Sequence, residues 1–322
     1  MLCLGLLAAI PAGRAQETAA HAQAAVIEVV DADVGLFWRV YDRVRAEPDR
    51  AQQVALLQRE YFQRASPGLA AFREAKGYDA DAYVDAINRW PAYWDTVRPR
   101  TRGIAVVTDK LVPLLRRFRE LYPAARPAAV YFEVGALRSA GTTLGDKVLI
   151  GAEMAAGDSG VDVSQMPDGL QRFFRSYFAS RPAQNLDLLI VHELVHTQQR
   201  GERGSLLAQA VYEGVADFVA EQVTGRLPDL DYVRYGPRHD AAIKAAFRRD
   251  MHAAAYDGWL YDDGDNPFAT RDLGYYVGYA ICSRNFARAT DKPAALARMI
   301  ELDYADPRAV AGFVADSGYF GD

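Results

Sequence analysis

The first third of the chain carries apolar residues at helical spacing. Apolar positions recur every three to four residues over Val34 to Arg45, Gln52 to Phe72, Ala80 to Asn88 and Ala105 to Leu121. Prolines punctuate these segments, so that one helix ends where another can begin. The pattern predicts that residues 16–125 form a helical N-terminal layer.

The middle of the chain changes to short β-rich runs. Residues 129–134 (AVYFEV) and 148–152 (VLIGA) are rich in branched and aromatic side chains, which is typical of strands. Gly141, Gly145 and Asp146 lie between the two runs and favour turns. The sequence therefore predicts a small sheet after the helical layer.

Helical periodicity resumes after Pro182. The expected helices cover Leu186 to Arg200, Ser205 to Thr224, Asp240 to Tyr256, Tyr275 to Ala289 and Ala294 to Glu301. Gly201 to Gly204 form a tight connection between the first two, and Ser205 is a suitable N-cap. Because no linker rich in Pro, Gly or Ser divides the chain, we expect one α+β unit, mostly helical, with its second region in residues 126–322.

Composition excludes several classes of protein. The chain has 322 residues, of which 50% are hydrophobic and 25% charged, with a net charge of −5. Its aromatic content excludes a disordered chain, and its acidic balance argues against nucleic-acid binding. Beyond the N-terminus no apolar run reaches the roughly 18 residues of a membrane span, so none is expected in the mature chain. With only Cys3 and Cys282, any catalytic metal must be held by His and carboxylate side chains.

The N-terminus has the pattern of a secretory signal peptide. Leu2 to Ile10 form a short apolar run, and Gly13 and Ala15 occupy the two small-residue positions before a cleavage site. We therefore predict a signal peptide over residues 1–15 and an exported mature protein, periplasmic or secreted. The alternative is an ordinary apolar N-terminal helix.

The strongest chemical signal is an HExxH pattern on a predicted helix. Residues 188–199 read LLIVHELVHTQQ, with His192, Glu193 and His196 in the pattern. Two histidines four residues apart lie about 40° apart around the axis and about 6 Å along it, so both can bind one zinc ion. Glu193 can take a proton from a metal-bound water as a general base. The apolar flanks indicate a buried helix, in which both histidines need partners.

The pair needs a third ligand, and the residues that follow exclude one arrangement. A metzincin would have Gly three positions and His six positions after His196, where this chain has Gln199 and Glu202. The next predicted helix carries Glu213 and Asp217, which lie four residues apart and therefore share a face. These two carboxylates are the candidates.

The turn between the two helices pairs the candidates with the histidines. If the helices fold back at residues 201–204, His196 and Glu213 lie nearest the turn, while His192 and Asp217 lie one helical turn further out. We expect Glu213 to be the third zinc ligand and Asp217 to accept the second ring N–H of His192. The alternatives are Asp217 itself as the ligand, or a solvated helix face carrying both carboxylates.

These motifs resemble those of known metallopeptidases. HExxH followed on the next helix by ExxxD resembles the gluzincins, the thermolysin-like class. More narrowly, HELVHTQQ, YEGVADFVAE and RDLGYYVGYAI look like the bacterial family of predicted zinc-dependent proteases related to gliding-motility lipoprotein B. The match runs from about Val130 to the C-terminus. The resemblance implies a zincin-like catalytic unit over residues 126–322, with a small sheet beside the HExxH helix.

The resemblance also implies a strand that binds substrate. In zincins a strand beside the active-site helix offers its edge to an extended peptide. Lys147 to Glu153 (KVLIGAE) resembles that strand, and addition of a peptide to its edge would explain substrate binding. An ordinary core strand is an equally good interpretation.

A zinc hydrolase further needs a donor for the developing oxyanion. Residues 274–279 (GYYVGY) supply phenols, and the resemblance places such a pattern near the site, so we expect Tyr276 to be this donor. Tyr279, His239 and His252 are alternatives. Packing at the helix start is the expected role of Tyr275.

Two functions remain open. The first is a zinc-dependent peptidase that hydrolyses peptide or protein substrates, with Glu193 as general base. The second is a non-enzymatic envelope protein that retains a zinc site for structure or partner binding. Glu193 favours the peptidase, because a structural zinc site needs the ligands but no base.

Overall fold

The computed structural model describes residues 27–261 and 266–321. The predicted signal peptide and Cys3 lie outside these residues. The strands are β1 (Glu28–Val30), β2 (Ala129–Glu133), β3 (Gly141–Leu144) and β4 (Lys147–Gly151). The helices before β2 are α1 (Ala32–Ala46), α2 (Arg50–Leu56), α3 (Pro67–Lys76), α4 (Ala80–Arg89), α5 (Pro91–Thr101) and α6 (Ile104–Leu121).

Helices make up most of the second region. They are α7 (Ala152–Ala155), α8 (Asp168–Ala179), α9 (Leu186–His196), α10 (Leu206–Thr224), α11 (Asp231–Asp250), α12 (Leu273–Arg288), α13 (Lys292–Ile300) and α14 (Pro307–Ser317). A π-helical segment (Leu57–Phe62) continues α2, and a 3-10 turn (Pro182–Gln184) precedes α9. The fold is thus α+β and mostly helical, as predicted.

Prolines explain where the observed helices depart from the predicted ones. The helical periodicity over residues 52–72 is divided at Pro67, which opens a new helix that Ser66 caps at the Gly68 N–H (3.1 Å). Helix α11 starts at Asp231, earlier than the helix expected from residue 240. It is kinked at His239, and the stretch before the kink contains Pro237. Three further helices were not predicted from the sequence. Helices α5 and α14 begin at prolines, and α8 begins directly after Pro167.

Aromatic side chains hold the helical layer together and tie it to the sheet. Phe37, Tyr61, Tyr83 and Trp94 are fully buried, and the Phe37 ring lies 5.3 Å from that of Tyr61 and 5.4 Å from that of Trp94. The hydroxyls of Tyr61 and Tyr83 both donate to the carbonyl oxygen of Val134, at 3.0 and 2.8 Å. The layer and the end of β2 therefore share one core.

The sheet has the strand order β1-β2-β4-β3. Strands β1, β2 and β4 are parallel, whereas β3 runs antiparallel to β4. The run KVLIG is therefore an inner strand, so the expectation that Lys147 to Glu153 offer a free edge is wrong. Among the described strands, β3 forms the edge on that side. The reversal of the chain at Gly145 (φ +60°) places β3 outside β4.

Close backbone contacts fix the helices of the second region. A Cβ atom built on Gly278 of α12 would lie 1.8 Å from the carbonyl oxygen of Ala210 in α10, and one on Gly214 would lie 2.1 Å from Gly278. Only glycine allows α10 and α12 to touch in this way. Nearly every residue of α10 from Leu206 to Ala220 is buried. Helix α10 is thus a rigid central support for the groups that it carries.

Over the described residues, no helix combines the length and the apolar character that crossing a bilayer requires.

Candidate metal centre

Helix α9 carries both histidines of the HExxH pattern on one face. Its apolar positions Ile190, Val191 and Leu194 are fully buried, which fixes the rotation of the helix. The Nε2 atoms of His192 and His196 lie 3.0 Å apart. The two imidazoles therefore point at one place, as the sequence predicted.

Glu213 on α10 completes the cluster. Its Oε2 atom lies 3.2 Å from Nε2 of His192 and 3.2 Å from Nε2 of His196. In a tetrahedral zinc site with bonds of about 2.0–2.1 Å, neighbouring ligand atoms lie about 3.3 Å apart. The observed triangle of two nitrogens and one oxygen is close to that size. Its donor set and its shape thus fit a zinc ion.

Asp217 orients His192 as the turn geometry predicted. His192 Nδ1 lies 2.9 Å from Asp217 Oδ1, and Asp217 Oδ2 accepts a hydrogen bond of 2.7 Å from the Tyr232 hydroxyl. Because a carboxylate oxygen can only accept, Nδ1 of His192 donates to Asp217, and Nε2 is the nitrogen left for a metal. The alternative in which Asp217 is itself the ligand does not match this arrangement.

Gln199 orients the ring of His196, as Asp217 orients that of His192. Its Nε2 atom donates to the carbonyl oxygen of Tyr212 (2.9 Å) and to the Tyr304 hydroxyl (2.8 Å), which fixes the orientation of the amide. Its Oε1 therefore accepts from His196 Nδ1 at 2.6 Å, so this nitrogen carries the proton. The Tyr212 ring stacks on the His196 ring at 4.4 Å. This role of Gln199 was not predicted from the sequence, where the residue served only to exclude a metzincin.

The second oxygen of Glu213 also has partners that the sequence analysis missed. Gln209 Nε2 donates to Oε1 at 2.8 Å, and the Tyr261 hydroxyl donates to the same oxygen. Gln209 lies one turn before Glu213 on α10, a spacing that could have indicated the contact. Tyr261 is distant in sequence, and no motif marks it.

The charges at the cluster favour a positive charge between the histidines and Glu213. Burial lowers the pKa of His192, but hydrogen bonds to Asp217 and Glu213 outweigh it and hold that pKa well above the ordinary value. Burial raises the pKa of Glu213, but the facing histidines His196 and His192 hold that pKa well below its ordinary range. The cluster therefore attracts either a proton or a metal ion, and binding of a metal would displace the proton.

Glu193 lies beside the cluster without belonging to it. Burial raises its pKa, and the charges of His196 and His192 oppose that effect only in part. A Cβ atom built on Gly141 would lie 3.3 Å from Glu193 Oε1, so the backbone of β3 passes close to this carboxylate. Glu193 thus carries its carboxylate next to the edge strand β3.

The structure does not bring Tyr276 to the cluster. Its hydroxyl donates to Asp240 at 3.0 Å, and its ring packs against Gly236 of α11. Tyr275 lies nearer, with its ring centroid 6.1 Å from that of His192. Tyr276 therefore packs against α11, away from the cluster, whereas the Tyr275 ring lies against His192.

The other candidate donors also lie elsewhere. The Tyr279 hydroxyl donates to Glu221 at 2.6 Å. His239 is exposed and stacks on Tyr235 at 3.8 Å, while His252 is exposed near the C-terminal end of α11. None of these three lines the space beside His192 and Glu193.

A cavity of about 260 Å³ opens beside His192 and Glu193. Most of its wall is apolar or aromatic, with Leu189, Leu230 and Tyr275 among the lining residues. A volume of this order holds a side chain or a small ligand rather than a few waters. Of the cluster residues, His192 borders this cavity.

Comparisons of the chain with models of protein families, with curated proteins and with solved structures found no match. The α+β architecture and the cluster of His192, His196 and Glu213 are therefore the features from which a function is inferred.

Proposed function

We propose that the chain is a zinc-dependent peptidase with a zincin-like catalytic unit of the gluzincin type. The observation that carries the proposal is the convergence of His192 Nε2, His196 Nε2 and Glu213 Oε2 within 3.0–3.2 Å of one another. Both imidazoles are oriented through Nδ1, as in other histidine sites where an outer carboxylate or amide fixes the tautomer. Three protein ligands leave a position open, which is typical of catalytic zinc.

Glu193 serves as the general base. Zinc, when bound, supplies a positive charge that lowers the pKa of a water and polarises a carbonyl. Glu193 accepts the proton of the attacking water on its carboxylate and passes it to the leaving amine. Its raised pKa supports the second step, because a weaker carboxylic acid holds the proton until the amine needs it.

Tyr275 is the donor to the developing oxyanion. Its ring lies against His192 and lines the cavity, and its pKa is raised well above the ordinary value by burial and then by Glu213. A phenol with a raised pKa remains a hydrogen-bond donor throughout the reaction.

The substrate is an extended peptide or protein segment. It adds to the edge of β3, whose backbone passes Glu193, and one of its side chains enters the cavity beside His192. Because residues 1–15 have the pattern of a signal peptide, we propose that this peptidase acts outside the cytoplasm, in the periplasm or after secretion.

The test is a cleavage profile. Purified protein and its Glu193→Gln variant are incubated with a proteome-derived peptide library, and the new termini are identified by mass spectrometry. We expect the wild type to cleave and the variant to lose cleavage while it keeps its zinc, because Glu193 contacts the water and not the metal. Equal cleavage by both proteins would exclude the proposed base. Bound zinc without any cleavage would favour the non-enzymatic zinc protein.

A further inference from the structure

The oxygen of Glu213 that faces away from the histidines is saturated with donors. Oε1 accepts from Gln209 Nε2 at 2.8 Å and from the Tyr261 hydroxyl. A carboxylate oxygen has two lone-pair directions, and here both are used. Oε2 faces Nε2 of both histidines at 3.2 Å. The two oxygens of Glu213 thus have separate partners.

Tyr261 reaches Glu213 from a distant segment of the chain. The residue as a whole is 54% exposed, yet its hydroxyl touches a buried carboxylate. Its backbone is left-handed (φ +63°), and its N–H donates to Asp272 Oδ1 at 2.8 Å, where Asp272 is also left-handed (φ +60°). Two non-glycine residues in this conformation, joined to each other, are typical of backbone held in place for a function.

The oxygen of the Tyr261 hydroxyl also accepts a hydrogen bond. Gln209 Nε2 donates to it at 2.6 Å. The Tyr261 ring meets the Tyr275 ring at 90° with centroids 6.2 Å apart. Because the hydroxyl oxygen accepts from Gln209, its own proton is free to point at Glu213 Oε1, to which it donates.

We propose that Tyr261 is a positioning residue that keeps Glu213 a one-oxygen metal ligand. With Oε1 held by Tyr261 and Gln209, only Oε2 is available to a metal ion, so coordination positions stay open for water and substrate. This inference rests on the proposed zinc centre. Loss of the hydroxyl frees one lone pair of Oε1, which lets Glu213 turn and bind through both oxygens.

The test uses Tyr261→Phe in the full chain, loaded with Co²⁺ as a spectroscopic probe. We expect weaker and shifted visible absorption, because a second oxygen ligand raises the coordination number. In a chelator competition, zinc affinity should change by about 10–100-fold, the range typical for outer partners of metal ligands. The matched control is Tyr256→Phe, whose hydroxyl donates to the Arg203 carbonyl oxygen and not to Glu213. This control should keep the wild-type spectrum and affinity.

A wild-type spectrum and affinity in Tyr261→Phe would overturn the inference. If Tyr261→Phe does not fold, Gln209→Met removes the other donor to Oε1 and should give the same spectral change, and its absence would overturn the inference equally. A wild type that binds neither Co²⁺ nor Zn²⁺ overturns the inference together with the metal centre. A wild type that binds metal but cleaves no peptide removes the proposed function alone, and the spectra then decide on Tyr261.

Discussion

Buried carboxylates occur in two regions of the molecule, and their pKa values are shifted in opposite directions. At the candidate metal centre, Glu213 faces two histidines, which hold its pKa well below the ordinary range against the effect of burial. At Glu133 in β2 and Glu153 in the short helix α7, burial instead raises the pKa, to about 7 for Glu153 and well above the ordinary value for Glu133. In the described part of the chain, no lysine or arginine forms an ion pair with either of these two residues.

The partners, not the burial, decide which carboxylates keep their charge. Glu153 Oε2 accepts from the Gly135 N–H at 2.9 Å, while neither oxygen of Glu133 has a hydrogen-bond partner. Asp33 and Glu153 also repel a charge on Glu133. Glu133 and Glu153 therefore favour protons, whereas Glu213 keeps a negative charge that favours a cation. The contrast distinguishes two buried acids that hold protons from the carboxylate proposed as a metal ligand.

The largest expected effect is on metal binding when a ligand is removed. His196→Ala should lose zinc almost completely, with affinity reduced by more than about 100-fold, beyond the range for outer partners. Glu193→Gln is the matched control, since it alters a neighbouring carboxylate on the same helix and should keep wild-type affinity. Chelator competition followed by metal analysis measures both. Retention of zinc by His196→Ala would show that the two histidines do not share one ion.

The next effect concerns Glu153 and the pH. The pKa of Glu153 is raised from about 4.5 to about 7 on folding, so its stabilising contribution is present below pH 4.5 and is lost as the pH rises through 7. Glu153→Gln cannot ionise, so its stability relative to wild type should be more favourable at pH 8 than at pH 4 by about 3 kcal/mol. Denaturant unfolding at both pH values measures this. The exposed Glu74→Gln is the control, and the same small change in Glu153→Gln at both pH values would contradict the account.

A smaller effect separates the two carboxylates of α10. Asp217→Asn should weaken zinc binding by about 10–100-fold, because it loses the charge that orients His192. Glu213→Gln should weaken it further, since an oxygen in direct contact with the metal loses its charge. If Asp217→Asn is the more damaging of the two, Asp217 is the ligand. If neither variant differs from wild type in zinc affinity, α10 contributes no group to the metal centre.

The smallest effect is the pH dependence of zinc affinity. The pKa of His192 in the metal-free protein lies well above its ordinary value, and a metal needs the neutral imidazole. Below that pKa each zinc ion displaces about one proton, so affinity should rise about tenfold per pH unit until the pKa is passed. Isothermal titration in buffers of different ionisation enthalpy counts the released protons. Zinc binding without proton release would contradict the charge balance described for the cluster.

Much of the centre could be predicted from spacing. The HExxH pattern and the helical repeat of four residues gave the pairs His192–Asp217 and His196–Glu213, and the structure joins them at 2.9 and 3.2 Å. These contacts follow from two helices and one short turn, which local sequence determines.

Other parts depend on contacts that local sequence does not contain. Gln199 is oriented by Tyr304, which lies 105 residues further along the chain. Tyr275 and Tyr276 differ by about 100° around α12, and packing against α10 and α11, rather than periodicity, selects which of them faces His192. The edge strand β3 has no strong β pattern in its sequence GTTL, so the order of the sheet could not be predicted either.

The most direct test of the central claim is X-ray absorption at the zinc edge of protein reconstituted with one equivalent of zinc. We predict about one zinc per chain, bound by two imidazoles near 2.0–2.1 Å and by one carboxylate oxygen and one water at similar distance. Absence of bound zinc after reconstitution at neutral pH, or a zinc ion without two imidazole ligands, would contradict the assignment of His192, His196 and Glu213 as the metal centre.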